Sequence, residues 1–306
     1  MIALNAVFLI LVNGASAAPA CPAPEYIDFQ VESVVARNPV GFTQGLEIHD
    51  GAFYESTGAY KDTTKINRIS MDGKVETLVD HGEKKEAGQQ IFGEGMTILN
   101  GKIYQLTYKN KVAYVYDMNG KLLKTMPSPL KEGWGLANDG KRLISSDGSH
   151  QLSFHDPENL EKSTKVAVRD ENGPVTGLNE LEFVNGKVYA NIFGSNEIVR
   201  INPETGCVEA RADMTNLVKQ IPKPHGNPLA ADRNFVLNGI AFDKDNDKFY
   251  LTGKNWPVLF KTRMVKSSAP KPPSLPGLPG LQQLRPGSPG TGCNPSQGPC
   301  GAPTQK

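Results

Sequence analysis

Phe92-Gly93-Glu94-Gly95-Met96-Thr97-Ile98-Leu99-Asn100-Gly101-Lys102-Ile103-Tyr104-Gln105-Leu106-Thr107 contains a glycine–apolar pair, Gly95-Met96, then an Asn-Gly turn, then a second apolar run at Ile103-Tyr104. Asn-Gly favours the positive φ angles of a tight hairpin, so the segment reads as two antiparallel strands. The same grammar recurs along the chain. Gly45-Leu46, Gly135-Leu136, Glu180-Leu181 and Gly239-Ile240 align with Gly95-Met96 at spacings of 50, 40, 45 and 59 residues. Asp50-Gly51, Asp139-Gly140, Asn185-Gly186 and Asp245-Asn246-Asp247 supply the turns, and Phe53-Tyr54, Leu143-Ile144, Val188-Tyr189 and Phe249-Tyr250 the strands after them. A third strand follows near Ile66–Ile69, Ala113–Tyr116, Gln151–Phe154, Ile198–Ile201 and Leu259–Lys261. Apart from a short turn near Met214–Gln220, no helical period interrupts these units. Five antiparallel units of blade length predict an all-β, five-bladed β-propeller.

The flanks read differently. An apolar run over Met1–Val12 followed by Ala15, Ser16, Ala17 and Ala18 has the grammar of a secretory signal over residues 1–18, although no Lys or Arg precedes it. A secreted or other extracytoplasmic protein, with no membrane partner once the signal is cleaved, is the expectation. Residues 267–306 hold ten of the 23 prolines, with Gly and Ser between them, and read as a disordered tail behind a propeller domain at 28–265. Four cysteines are compatible with disulfides in an exported chain. Cys293 and Cys300 are the closest pair in sequence, and Cys21, just beyond the small residues, leaves a lipid-anchored cysteine open. With 33 Lys and Arg against 32 Asp and Glu, net charge +1, and no basic stripe, nothing points to nucleic acid.

In a propeller the innermost strand of each blade faces one axis, so equivalent positions form rings. The residues just before the aligned pairs are Gln44, Glu94, Trp134, Asn179 and Asn238. A second ring falls where the next strand ends: Thr57, Tyr108, Asp147, Phe193 and Lys254. Together they would make a pocket with aromatic walls, amides, a carboxyl and an amine, suited to a small polar group. Strand alternation sets Glu180 opposite Asn179 and leaves Glu180 and Glu182 outside it. His49, His81, His150, His155 and His225 show no ligand spacing and read as surface or turn residues.

Across roughly residues 28–262, the segments Phe42-Thr43-Gln44-Gly45-Leu46-Glu47, Glu55-Ser56-Thr57-Gly58, Phe92-Gly93-Glu94-Gly95, Tyr104-Gln105-Leu106-Thr107, Glu132-Gly133-Trp134-Gly135-Leu136, Ser146-Asp147-Gly148-Ser149, Leu178-Asn179-Glu180-Leu181-Glu182, Leu237-Asn238-Gly239-Ile240-Ala241 and Leu251-Thr252-Gly253-Lys254 resemble those of the glutamine cyclotransferases. The resemblance implies an enzyme that converts the N-terminal glutamine of peptides or proteins to pyroglutamate with release of ammonia. It implies Glu94 as general acid and base, with Phe42, Gln44, Phe92, Trp134, Asn179 and Lys254 lining the pocket. Tyr108 and Phe193 stand where the family usually has tryptophan and keep an aromatic wall. The reaction so drawn requires no cofactor, and a structural calcium ion in the channel stays open. A monomer acting on such peptides is expected. A non-catalytic binding module and a metal-dependent, lactonase-like propeller are the other readings. The latter would need several carboxylates gathered at the axis, where the first ring supplies one.

Overall fold

The computed structural model describes residues 20–38, 40–58, 64–222 and 235–267. The signal reading, the tail from residue 268 onward, the Cys293 and Cys300 pair and His225 lie outside them. Strand β1 (Glu25–Ala36) comes first, and β2 (Thr43–His49), β3 (Ala52–Thr57), β4 (Lys65–Ser70) and β5 (Val75–Asp80) form a four-stranded antiparallel sheet in chain order. A ribbon of β6 (Lys85–Glu86) and β7 (Gln89–Gln90) leads to a second such sheet: β8 (Gly93–Leu99), β9 (Lys102–Thr107), β10 (Val112–Asp117) and β11 (Leu122–Pro127). The third comprises β12 (Leu136–Asn138), β13 (Leu143–Ser145), β14 (Gln151–Asp156) and β15 (Asn159–Ala167). After a ribbon of β16 (Arg169–Asp170) and β17 (Gly173–Pro174) come β18 (Leu178–Val184), β19 (Lys187–Ile192), β20 (Glu197–Ile201) and β21 (Val208–Asp213). The one-turn helix α1 (Thr215–Val218) precedes β22 (Leu237–Asp243), β23 (Lys248–Gly253) and β24 (Val258–Lys266).

These last seven strands and β1 make one eight-stranded sheet, ordered β18-β19-β20-β21-β1-β24-β23-β22. The first strand of the chain therefore pairs with the last. It runs antiparallel to β24 from Ile27 opposite Lys266 to Ala36 opposite Val258, and parallel to β21 only at Glu25 and Tyr26. Just ahead of it Cys21 is bonded to Cys207, 186 residues later. Cys21 is therefore a disulfide half rather than the lipid-anchored cysteine that the sequence left open, and its partner is the distant Cys207. Among the described residues no helix is long and apolar enough to cross a membrane.

The predicted hairpins form where the turns permit. Asp50 and Gly51, Asn100 and Gly101, and Asn185 and Gly186 all take positive φ in successive pairs, as a two-residue turn with both central residues left-handed demands. Apolar side chains fill the spaces between sheets, as where Ile144, Leu152, Leu181, Val188, Val199 and Val208 share one cluster. His81 and His155 belong to this interior rather than to the surface. His155 bridges Ser145 Oγ at 2.8 Å and the Leu160 carbonyl at 2.7 Å, which satisfies both ring nitrogens in the core.

At the centre the inner strands touch: β2 lies beside β8 and β22, β12 beside β8 and β18, and β18 beside β22. The approach is so close that the aligned glycines have no room for a side chain. A methyl group on Gly95 would stand 2.3 Å from Leu136 N, and one on Gly135 only 1.9 Å from the Asn179 carbonyl oxygen. The fourth repeat has Glu180 at the aligned position, and its carboxylate spans the axis, accepting Leu46 N–H at 3.0 Å and Ile240 N–H at 2.8 Å. Glu182 accepts Phe242 N–H at 2.9 Å, and Glu47 accepts the Thr97 hydroxyl at 2.7 Å and Ile98 N–H at 3.0 Å. Three acids that tie sheets together at the axis thus accompany the single carboxylate of the first ring. Among the described residues, no three acids, histidines or cysteines are grouped so as to hold a metal ion.

Burial pushes the Glu47 carboxyl up to about 7, against the pull of its two hydrogen bonds. Burial, with the neighbouring charges of Glu47 and Glu180, lifts Glu182 well above the carboxylate range. An acid raised on folding stabilises fully below its unfolded value, about 4.3, and that stabilisation is lost as pH rises through the folded value. Glu47→Gln keeps the acceptor and removes the ionisation. Urea denaturation should find it equal to the parent at pH 4.5 and about 1–3 kcal/mol more stable at pH 8.

The steric argument is equally direct. Gly135→Ala should cost about 3 kcal/mol in the same measurement, because backbone must move. Gly140→Ala, with open space around its Cβ but a φ of +82°, should cost only about 1–2 kcal/mol.

Candidate active site

Irregularities in the inner hairpins place the first ring. The β2–β3 register shifts between Thr43 and Gly45, β8–β9 between Gly93 and Met96, β18–β19 between Leu178 and Leu181, and β22–β23 between Leu237 and Ile240. Gln44, Glu94, Asn179 and Asn238 each fall inside one of these shifts. A bulge removes a residue from the ladder and re-aims its side chain. All four side chains are buried. Simple alternation fails across the bulge, and Asn179 and Glu180 are both buried side by side in sequence. Trp134 sits just ahead of β12, held by its N–H to the Ser146 carbonyl at 3.1 Å and by its own carbonyl, which accepts Gly95 N–H at 2.7 Å.

The second ring follows the ends of the next strands and builds the walls. Lys254 lies beyond β23 with its Nζ 4.8 Å from the Phe42 ring centre and 5.7 Å from that of Phe193. Phe193 meets Trp134 edge-on at 5.3 Å, and Phe92 packs against Tyr108 at 5.6 Å. Gly148 makes room for the indole, since a Cβ there would stand 2.7 Å from the Trp134 ring. Asn238 Nδ2 donates to the Thr43 carbonyl at 2.9 Å and approaches Gln44 Oε1 at 3.5 Å. Its Oδ1 is buried with no protein partner. Asp147 turns to its own loop, accepting Ser149 N–H at 3.0 Å and the Ser149 hydroxyl at 2.5 Å, so it caps a turn. Thr57 Oγ1 accepts Lys65 N–H at 3.1 Å and likewise serves its own hairpin.

Glu94 is 5% exposed and Lys254 6%. Burial holds the Glu94 carboxyl well above the usual carboxylate range; the Lys254 charge opposes this and the Glu132 charge adds to it. Burial also draws the Lys254 ammonium below its ordinary value, with Glu94 acting in the opposite direction. An acid made reluctant to ionise and an amine made reluctant to stay charged thus share one low-dielectric site. Strongly perturbed groups gathered in one buried site mark it as a candidate for proton-transfer chemistry.

Glu132 is the site residue that the ring alignment passes over. Its Oε2 accepts the Trp134 indole N–H at 3.3 Å, and its Oε1 stands 3.2 Å from Lys109 Nζ, which lies 4.6 Å from the Tyr108 ring centre. It occupies neither ring position, two residues ahead of Trp134. Only its place within Glu132-Gly133-Trp134-Gly135 could have drawn attention to it.

Comparison with known proteins agrees on one family. The family model described as glutamine cyclotransferase matches residues 5–264. A curated glutaminyl-peptide cyclotransferase of Arabidopsis thaliana is 34% identical over 246 residues, 79% of this chain and 73% of that protein. The crystal structure of Myxococcus xanthus glutaminyl cyclase matches with a TM-score of 0.66 at 31% identity, over 79% of this chain and 98% of that one.

Proposed function

The chain belongs to the glutamine cyclotransferase family, and from that premise we propose that Glu94 carries the proton transfers of its reaction. The enzyme is a glutaminyl-peptide cyclotransferase: a peptide's N-terminal glutamine becomes pyroglutamate and ammonia leaves. The neutral α-amine forms a bond to the side-chain amide carbon, and that carbon's bond to the amide nitrogen breaks. The attacking nitrogen must lose a proton and the leaving nitrogen must gain one. A carboxyl in its neutral form can do both, its carbonyl oxygen accepting while its hydroxyl donates, and it ends neutral again. The observation that carries this reading is the buried, charge-averse Glu94 beside Lys254 in an aromatic mouth.

Lys254, Gln44 and Asn179 hold the carboxamide and stabilise the oxygen that turns negative as the amine attacks. Phe42, Phe92, Tyr108, Trp134 and Phe193 wall the folded-back glutamine and exclude water, which keeps the reacting ends together. The positive charge of Lys254 does the work a Lewis acid would do, so the scheme draws on no metal or cofactor. The specificity is for a free N-terminal glutamine, because the attacking amine and the amide under attack belong to one residue.

The propeller has five blades in this reading, the eight-stranded sheet being two blades joined edge to edge. Support comes from the five sequence units and from the β1–β21 junction, which spans only two residue pairs. The protein works as a monomer in an extracytoplasmic compartment, a reading supported by its signal-like first residues and by Cys21–Cys207.

Glu94→Gln preserves size and hydrogen bonding and removes the proton transfer. Turnover of a glutaminyl peptide, followed by released ammonia, should fall about 10²–10⁴-fold with the circular-dichroism spectrum unchanged. In the parent enzyme turnover should fall as rising pH ionises Glu94, while the acid limb belongs to the substrate amine near about 7.7–8.0. Near-normal turnover of the variant would assign the proton steps elsewhere. A chelator should leave the parent rate within about twofold; inactivation reversed by added metal would replace the scheme with a metal-assisted one.

A further inference from the structure

Arg37 and Glu55 form an ion pair with side chains only 7% and 2% exposed, outside the pocket and unused by the chemistry above. Arg37 follows β1, the strand that joins β21 to β24 within the eight-stranded sheet, and Glu55 lies on β3 of the first sheet. One arm of the guanidinium meets Glu55. The other donates to Thr252 Oγ1 at 3.0 Å, to the Trp256 carbonyl at 3.3 Å and to the Gly253 carbonyl at 3.5 Å. Those three residues bracket Lys254. On the far side Glu55 Oε1 accepts the Thr43 hydroxyl at 2.6 Å, and Thr43 immediately precedes Gln44. Backbone bonds frame the same junction, with Asn255 N–H to the Gly41 carbonyl at 2.9 Å and Arg37 N–H to the Pro257 carbonyl at 2.8 Å.

We propose that the Arg37–Glu55 pair is a positioning device for the reaction: it sets Lys254 against Gln44 across the seam where the last strands of the chain meet the first sheet. A planar fork can hold three acceptors on one turn while pairing with a carboxylate, and a lysine ammonium cannot reproduce that geometry. A pair kept only for stability would have no reason to grip both residues adjoining the site. Arg37 and Glu55 do not touch substrate; they act through Lys254 and Gln44. The proposal rests on the roles given to those two residues above.

The test separates positioning from stability. Arg37→Lys keeps the charge beside Glu55 and gives up the fork. It should retain most of the melting temperature while kcat for a glutaminyl peptide falls about 10–100-fold and KM stays within about threefold, the pattern of lost transition-state alignment. Thr252→Val, which leaves the ion pair whole and removes one of its holds, should lower kcat about 3–10-fold. It also keeps the question answerable if Arg37→Lys fails to fold. Arg211→Met breaks a partly buried pair elsewhere, with Asp170 at 2.7 Å, and should lower the melting temperature with kcat unchanged. Unchanged kcat in both Arg37→Lys and Thr252→Val would overturn the proposal. Lys254→Met tells the two levels apart. If it is inactive while the seam variants work normally, only the positioning role falls; if it is itself fully active, the assignment of Lys254 falls with it.

Discussion

The inner strands meet at the axis with backbone against backbone, and most of what matters in this protein follows from that contact. Gly95 and Gly135 are at those positions because the neighbouring strand occupies the space a Cβ would need. Strands packed so tightly cannot keep a regular ladder to their outer partners as well, and the register slips at four of the inner hairpins. Each slip takes at least one polar residue out of the hydrogen-bond ladder, and at β18 it takes two, Asn179 and Glu180. The same crowding that forbids side chains at one position therefore presents them at the position before it.

Electrostatics at the axis obey a second rule, set by the scarcity of water. Carboxyls buried here are stabilised by hydrogen bonds from the backbone of neighbouring sheets, as Glu180 is by Leu46 and Ile240. Lysine partners are absent from those contacts. Such carboxyls favour their neutral form, which costs little below neutral pH and suits them as acceptors in a tightly packed seam. Glu94 shares this environment but faces Lys254 and the aromatic mouth. Position along the axis, rather than residue type, separates the structural acids from the one proposed to react.

The repeat and the hairpin turns were legible in the sequence because each rests on a local requirement: positive φ at Asn100-Gly101, or a glycine where strands touch. The outer strands β5, β11 and β15 were not, since they carry mostly exposed residues such as Leu122 and Leu123 and are defined by pairing alone. Alternation gave no sign that Glu180 bonds the backbone of two neighbouring strands, because a bulge leaves no mark in composition. His81 and His155 read as surface residues because their partners, Gln105 with Tyr116 and Ser145 with Leu160, are met only after folding. The Cys21–Cys207 bond escaped notice for the same reason: proximity in sequence favoured Cys293 and Cys300.

That bond and the strand it precedes also order events in time. β1 is among the first segments to leave the ribosome, yet its long partner β24 is among the last described strands to follow. Until β24 is made, β1 has an unpaired edge and must wait through nearly the whole chain, a high-contact-order closure of the kind that is slow and prone to mispairing. Cys207 arrives earlier than β24. Once it is oxidised to Cys21, β1 is held beside β21 with its other edge facing outward, a template on which β24 can zip up as it appears. An oxidising environment would thus act as an assembly clock for this enzyme, completing the scaffold edge before the last strand needs it.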